Sequence, residues 1–344
     1  MRIAIVNDVP MAVEAMRRVV LSSRRHEIAW TASDGAEAIE RCRSKKPDLI
    51  LMDLLMPGID GVEATRQIMS ATPCAILIVT ANVTDNCSKV FEAMGAGALD
   101  AVNTPVLEWA GSDNGAADLL AKIETLRKLT GAESATSPVR RRWASSLSQP
   151  ATDVLIAVGA SAGGPAALAR ILSYLPSDFA IPMVIVQHVD AQFASGLANW
   201  LDDQTPLRVR LALEGDCPVP GTILLAGTNR HLVFANALAL AYVEQPVECA
   251  YRPSVDVFFE SVRQHWPGDV IGVLLTGMGR DGAQGLRALR AEGHYTIAQD
   301  QASSAVYGMP KAAVELRAAA EILNLDQIGL RLRTLGAHPI NIHA

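Results

Sequence analysis

The stretch DVLIAVGASAGGP, residues 153–165, decides the fold of the larger half of this chain. An apolar run, 153–158, leads into small residues on both sides of Ser161 and then into Pro165. Such a run reads as a buried strand, and a proline there suits the first turn of a following helix. The small residues permit a tight strand-to-helix turn that lifts the Ser161 hydroxyl clear of a sheet. Gly159-Ala160-Ser161-Ala162-Gly163 has the G-x-S-x-G spacing of a nucleophile elbow. The same turn also suits a helix capped by Ser161, or a phosphate cradled at a helix N-terminus. The motif alone leaves these readings open.

Two further apolar runs end in residues that favour the first reading. PMVIVQ (182–187) runs directly into His188, and VIGVLL (270–275) runs into Thr276-Gly277-Met278-Gly279-Arg280-Asp281-Gly282. In an open parallel sheet the carboxyl ends of the strands converge on one crevice. A serine hydroxyl needs a base, and neutral imidazole serves near pH 7. The imidazole needs a carboxylate to hold its tautomer. Ser161, His188 and Asp281 are therefore the expected nucleophile, base and orienting acid. Their order in the chain differs from the Ser, Asp or Glu, His order of α/β hydrolases, so another fold is expected around the same elbow. The Gly277-Met278-Gly279 backbone offers N–H groups for an oxyanion. Periodicity predicts helices over 193–203, 254–266, 283–292, 310–320 and 326–335, and strands or a hairpin at 208–212, 222–226, 231–234 and 238–243.

The first half repeats the alternation. Apolar runs at 2–7, 48–52, 75–79 and 98–102 end at Asn7 and Asp8, Asp53, Thr80, and Thr104-Pro105. Helical patterns cover 10–21, 35–45 (with Asp34 as cap), 85–94 and 116–129. Strands alternating with helices predict a parallel α/β sheet in each half. Asp8 and Asp53 at neighbouring strand ends suit a hard divalent ion, Mg²⁺ by preference. A carboxylate beside that ion can accept a phosphoryl group, which the Thr80 hydroxyl would sense. Between the halves, residues 131–150 hold five serines, two prolines and Arg140-Arg141-Arg142, with little apolar periodicity. They read as a linker whose arginines are solvated.

Half the 344 residues are hydrophobic and 19% are charged, enough to bury two cores. A net charge of −6 disfavours nucleic acid and anionic membrane as partners. The five scattered cysteines lack CxxC spacing and read as free thiols in a reducing compartment. The opening MRIAIVND is too short an apolar run for a secretory leader, and no run approaches a membrane span, so a cytoplasmic protein without membrane insertion is expected.

Residues 1 to about 120 resemble a response-regulator receiver domain, with Asp53 at the phosphoacceptor position. Residues 153–340 resemble the catalytic domain of the CheB family of chemotaxis methylesterases. LIAVGASAGGP (155–165), VIVQHV (184–189), LTGMGRDGAQG (275–285) and YGMPKA (307–312) carry that likeness. NDVPMAVEAM (7–16), MDLLMPGIDGVEATR (52–66) and VNTPVLE (102–108) look more like the version in Wsp-type surface-sensing pathways. The resemblance implies two doubly wound parallel-sheet domains, a flavodoxin-like receiver (1–125) and a Rossmann-like esterase domain (151–344), joined by a linker (126–150). It implies hydrolysis of glutamate γ-methyl esters on the cytoplasmic helices of methyl-accepting chemoreceptors, releasing methanol, with glutamine deamidation as a second activity. It makes Ser161 the nucleophile, His188 the base, Asp281 its orienting acid and Met278 N–H an oxyanion donor. The ester hydrolysis needs no cofactor. Mg²⁺ serves the receiver, which a histidine kinase phosphorylates at Asp53 to relieve occlusion of the esterase cleft.

Three positions depart from the family pattern. Asn7 stands where receivers carry a second acid beside Asp8, which removes one negative charge from the metal site. Thr104 stands where they carry a lysine. Ala162 often is threonine, but its backbone N–H is unchanged.

Overall fold

Parallel strands rich in isoleucine, leucine and valine form the frame of the computed structural model, which describes residues 1–23, 25–81, 86–105, 114–130 and 154–337. The chain divides into units Met1–Pro138 and Val139–Ala344. The Arg140–Arg142 run and the rest of 131–150 lie outside the described residues.

In the first unit the elements run β1 (Arg2–Val6), α1 (Pro10–Ser22), β2 (Glu27–Ala32), α2 (Gly35–Ser44), β3 (Leu49–Met52), α3 (Gly61–Ala71), β4 (Ala75–Thr80), α4 (Cys87–Gly95), β5 (Asp100–Asn103) and α5 (Asn114–Thr130). The sheet order is β2-β1-β3-β4-β5, and every pairing is parallel. β3 is buried at all four positions, as a strand covered on both faces must be. Asp34 caps α2 by accepting a hydrogen bond from Glu37 N at 2.9 Å. The expected boundary at 125/126 falls inside α5, which continues to Thr130.

The second unit runs β6 (Val154–Ala160), α6 (Gly164–Leu172), β7 (Met183–Gln187), α7 (Ala191–Asp202), β8 (Arg208–Leu211), β9 (Thr222–Leu225), β10 (His231–Phe234), β11 (Leu240–Val243), α8 (Val255–His265), β12 (Asp269–Leu274), α9 (Ala283–Ala291), β13 (Tyr295–Gln299), α10 (Met309–Glu315), β14 (Glu321–Leu323) and α11 (Leu325–Ala337). Seven strands form a parallel sheet in the order β14-β13-β12-β6-β7-β9-β8, and β10 and β11 form a separate antiparallel hairpin. β6 sits at the middle. The chain leaves it to β7 on one side and returns through β12 on the other, which makes the carboxyl end of β6 a topological switch point. Phe258 and Phe259 of α8 are fully buried against this sheet in a core with Leu155, Val186, Phe234 and Leu286. No described helix is long and apolar enough to cross a membrane, and Cys42, Cys74, Cys217 and Cys249 are free.

Four elements, β2, α3, β13 and β14, have no counterpart in the periodicity reading, and one helix is shorter than expected. β2 is a half-exposed edge strand with polar residues, and β13 (YTIAQ) is too short to show a period. α3 begins at an Asp60 cap that accepts from Glu63 N at 3.0 Å. The helix expected over 310–320 ends at Glu315, because Arg317 adopts φ 53 and the chain enters β14. Truncation of Ile156, fully buried in the central strand, should cost about 3 kcal/mol. An Ile156→Ala protein should accordingly unfold at a lower urea concentration than the wild type, with both far-UV circular dichroism and tryptophan fluorescence reporting the change.

Candidate active site and phosphoacceptor pocket

Ser161 follows β6 directly, and its N–H bonds to Thr276 O at 3.0 Å, fixing the turn to the loop after β12. Gly163, not Ser161, is the residue preceding α6; it adopts φ 75, and α6 has no side-chain cap. The helix-cap reading of Ser161 therefore fails. The Ser161 side chain is not committed to the helix and is buried at the sheet edge.

His188 follows β7, the neighbour of β6, and its N–H bonds to Ala160 O at 3.0 Å. Gln187 ties the two strand ends together. Its Nε2 donates to Ser161 O at 2.8 Å and to His188 O at 3.1 Å, and the side chain is buried. Sequence reading passed over Gln187; its one signal was a polar residue closing an apolar run.

Asp281 lies between β12 and α9. Its Oδ2 meets His188 Nε2 at 2.8 Å. Oδ2 also accepts from Val255 N at 2.7 Å, and Oδ1 accepts from Ser254 Oγ at 2.8 Å and Asp256 N at 3.1 Å. The carboxylate thus sits on the N-terminus of α8, where the orphan N–H groups and the helix dipole favour an anion. Burial alone pushes its pKa up, but the His188 hydrogen bond and those N–H donors prevail, and the net shift is downward. An ionised Asp281 selects the His188 tautomer with a proton on Nε2. Nδ1 is then the acceptor; it is buried and has no partner among the described residues, Ser161 included. The Tyr251 ring stacks on the imidazole at 4.3 Å with planes 7° apart, blocking rotation out of this orientation. Beneath, buried His231 accepts from Ser254 N at Nδ1 (3.1 Å) and bonds Pro246 O through Nε2 (3.0 Å). Burial lowers its pKa and keeps it neutral, as an acceptor for an N–H must be.

Met278 stands between Gly277 and Gly279 in the same loop. A Cβ on Gly277 would lie 2.7 Å from Ser161 Cβ and 2.2 Å from Met309 Sδ, so only glycine lets this backbone approach the serine. Gly277 O in turn accepts from Gly308 N (3.0 Å) and Met309 N (2.9 Å). The segment 307–312 therefore holds the Gly277–Met278 peptide group, which approaches the serine turn at Gly277.

In the other unit Asp53 follows β3 and is buried. Asn7 Nδ2 donates to Asp53 Oδ2 at 3.0 Å, while Asn7 Oδ1 accepts from Val9 N at 2.8 Å. Leu54 N donates to Asp53 Oδ1 at 2.7 Å. Burial pushes the Asp53 pKa up to about 6; the Leu54 and Leu55 N–H groups oppose this, and the Asp8 charge adds to it. Asp8 is exposed, Thr80 is buried with Asn86 Nδ2 at 3.4 Å from its Oγ1, and Thr104 N bonds Thr80 O at 2.9 Å. Among the described residues no cluster of three or more His, Cys, Asp or Glu is arranged for a metal. The pair Asp8 and Asp53 nevertheless offers hard oxygen donors that mutually repel, a set that suits Mg²⁺ with water in its other positions.

The two parallel sheets, one with an acid at its carboxyl edge and one with Ser161, His188 and Asp281 at its own, define a receiver-coupled α/β enzyme. Residues 3–108 match the response regulator receiver domain family, and residues 156–332 match the CheB methylesterase family. A protein-glutamate methylesterase/protein-glutamine glutaminase of Mesorhizobium japonicum is 57% identical over 96% of this chain and 98% of its own length. One of the same description from Pseudomonas aeruginosa is 54% identical over 96% of this chain and 98% of its own length. The crystal structure of the Thermotoga maritima CheB methylesterase catalytic domain is 32% identical, with TM-score 0.50, covering 53% of this chain and 97% of that domain. This chain belongs to the CheB methylesterase family.

Replacing Gln187 by Met keeps volume and removes both tethers. Esterase kcat should fall roughly ten- to hundredfold with KM little changed, since a misplacement of about 1 Å is enough to do this. Steady-state assays with methylated receptor check it.

Proposed function

We propose that this protein hydrolyses glutamate γ-methyl esters on methyl-accepting chemoreceptors and deamidates receptor glutamines, under control of phosphorylation at Asp53. The bond between His188 Nε2 and Asp281, which leaves Nδ1 without a partner among the described residues while the His188 N–H is anchored to Ala160 O next to Ser161, is the observation that carries this reading. Ser161 Oγ attacks the ester carbonyl as its proton passes to His188 Nδ1. The resulting imidazolium is stabilised by Asp281. Met278 N–H donates to the developing oxyanion, an interaction worth about 10²–10³ in rate. As the intermediate collapses, His188 gives this proton to the departing methoxide oxygen, which leaves as methanol. Water, activated in turn by His188 Nδ1, cleaves the acyl-enzyme and leaves a glutamate carboxylate. A glutamine side chain enters the same sequence with ammonia as leaving group. None of these steps draws on a metal or organic cofactor.

Asp53 is the proposed phosphoacceptor, fed by a histidine kinase of the chemosensory type. Asp8 and Asp53 would hold Mg²⁺, which neutralises charge on the incoming phosphoryl group. Asn7 is a donor toward Asp53 and brings no charge of its own to the ion. Thr80 closes β4 and Thr104 follows the adjacent β5, where the likeness to receivers places the groups that sense the phosphoryl group. The segments 7–16, 52–66 and 102–108 favour a receiver of the Wsp-type surface-sensing kind. The missing lysine and the Asn7 bond also favour a second reading: the same esterase with a receiver that does not switch.

Purified protein should release methanol from methylated receptor, and Ser161→Ala should lower release by at least 10⁴-fold; equal release by the variant rejects the reading. Methanol release with and without a small phosphodonor and Mg²⁺ separates the switching receiver from the fixed one. Because protonated Asp53 is a poor nucleophile and its pKa stands at about 6, Asp53 labelling by a phosphodonor should fall about tenfold from pH 7 to pH 5.

A further inference from the structure

Asp256 is a second buried acid beside the catalytic carboxylate, and the mechanism above does not use it. It lies in the first turn of α8. Its Oδ1 accepts from Gly285 N at 2.8 Å, and backbone N–H groups of Gln284 and Gly282 also act on its carboxyl group. These donors belong to the N-terminus of α9. Asp281, which precedes α9, accepts in return from Ser254 Oγ, Val255 N and Asp256 N at the N-terminus of α8. Each acid therefore caps the helix that carries or follows the other. The two helices meet closely, for a Cβ on Gly285 would lie 2.6 Å from Phe259 Cβ and 3.1 Å from Asp256 O. Asp281 cannot shift relative to His188 without disturbing the Asp256 cap.

We propose that Asp256 is a positioning residue for the esterase: its carboxyl group locks the loop carrying Asp281 and Met278 onto α8. The proposal deepens the esterase reading, on which the role of His188 rests. Among the described residues no lysine or arginine pairs with Asp256. The groups around it are Asp281 and Gln284 before and on α9, Glu260 one turn along α8 and engaged with Arg263, and Cys249, Tyr251 and His231 on the Ser254 side. Both the Cys249 thiol and the Tyr251 hydroxyl are pushed up, by burial first and then by the Asp281 charge. Burial and the charge of Asp281 push Asp256 up to about 7, so the two acids titrate apart, as neighbouring carboxyl groups do when one proton is shared between two unequal sites.

Asp256→Asn keeps an oxygen acceptor for Gly285 N and removes the charge; Asp256→Ala removes both. In full-length Asp256→Asn, which keeps the acceptor for Gly285 N and resembles the neutral acid, kcat should stay within about threefold of wild type. Asp256→Ala should lose roughly ten- to hundredfold in kcat at unchanged KM. The low-field proton NMR signal of His188 Nε2–H, absent in His188→Gln, should keep its position in Asp256→Asn and move upfield or broaden in Asp256→Ala, as the bond to Asp281 loosens. A signal in Asp256→Ala identical to wild type overturns the proposal, whether or not methanol is released. A lack of methanol release by wild type with the NMR shift present rejects the esterase reading instead and leaves the Asp256 role standing.

Discussion

The catalytic half depends on one buried carboxylate. Asp281 is removed from water, which by itself would favour its neutral form. Two backbone N–H groups of α8, the Ser254 hydroxyl and His188 Nε2 replace that water. The helix N-terminus supplies a fixed positive potential at no reorganisation cost, so Asp281 stays ionised and holds His188 in one tautomer. The elements around it serve this arrangement. Tyr251 covers the imidazole, His231 fixes Ser254, and Gln187 sets the separation of the two strand ends that carry Ser161 and His188.

The receiver half is built on the opposite balance. Asp53 is buried with two N–H donors of its own loop and one amide from Asn7, but with another acid beside it. Its proton is therefore held more tightly than a free carboxyl group would hold it. An acid in place of Asn7 would add repulsion and recruit a cation; the amide instead satisfies one oxygen directly. The pocket is closer to self-sufficient without an ion than one with two acids after β1. This chemistry bears directly on how strongly a phosphoryl group at Asp53 alters its surroundings.

The strands were legible because they are buried on both faces and read as short continuous apolar runs, as in LILM of β3 and MVIVQ of β7. β2 and β14 escaped because they are edge or near-exposed strands whose polar residues break the run. Ser161, His188 and Asp281 were legible for a topological reason: each closes or follows an apolar run, and parallel sheets bring such ends together. Gln187, Ser254, Tyr251 and Asp256 were not, because polar residues at a strand end, a helix start or a loop look alike until their partners are known.

The sequence by itself determined two parallel α/β sheets, the strand ends that bear reactive groups, and the glycines that let backbone reach them. These follow from local rules of periodicity, turn geometry and steric size. The tertiary structure alone decided which imidazole nitrogen faces Asp281, that Asp281 rests on the N-terminus of α8, and that Asn7 turns its amide toward Asp53. Those outcomes depend on distances between residues far apart in the chain. Dielectric burial and hydrogen-bond competition act over a few ångströms of space, and no spacing along the sequence encodes them.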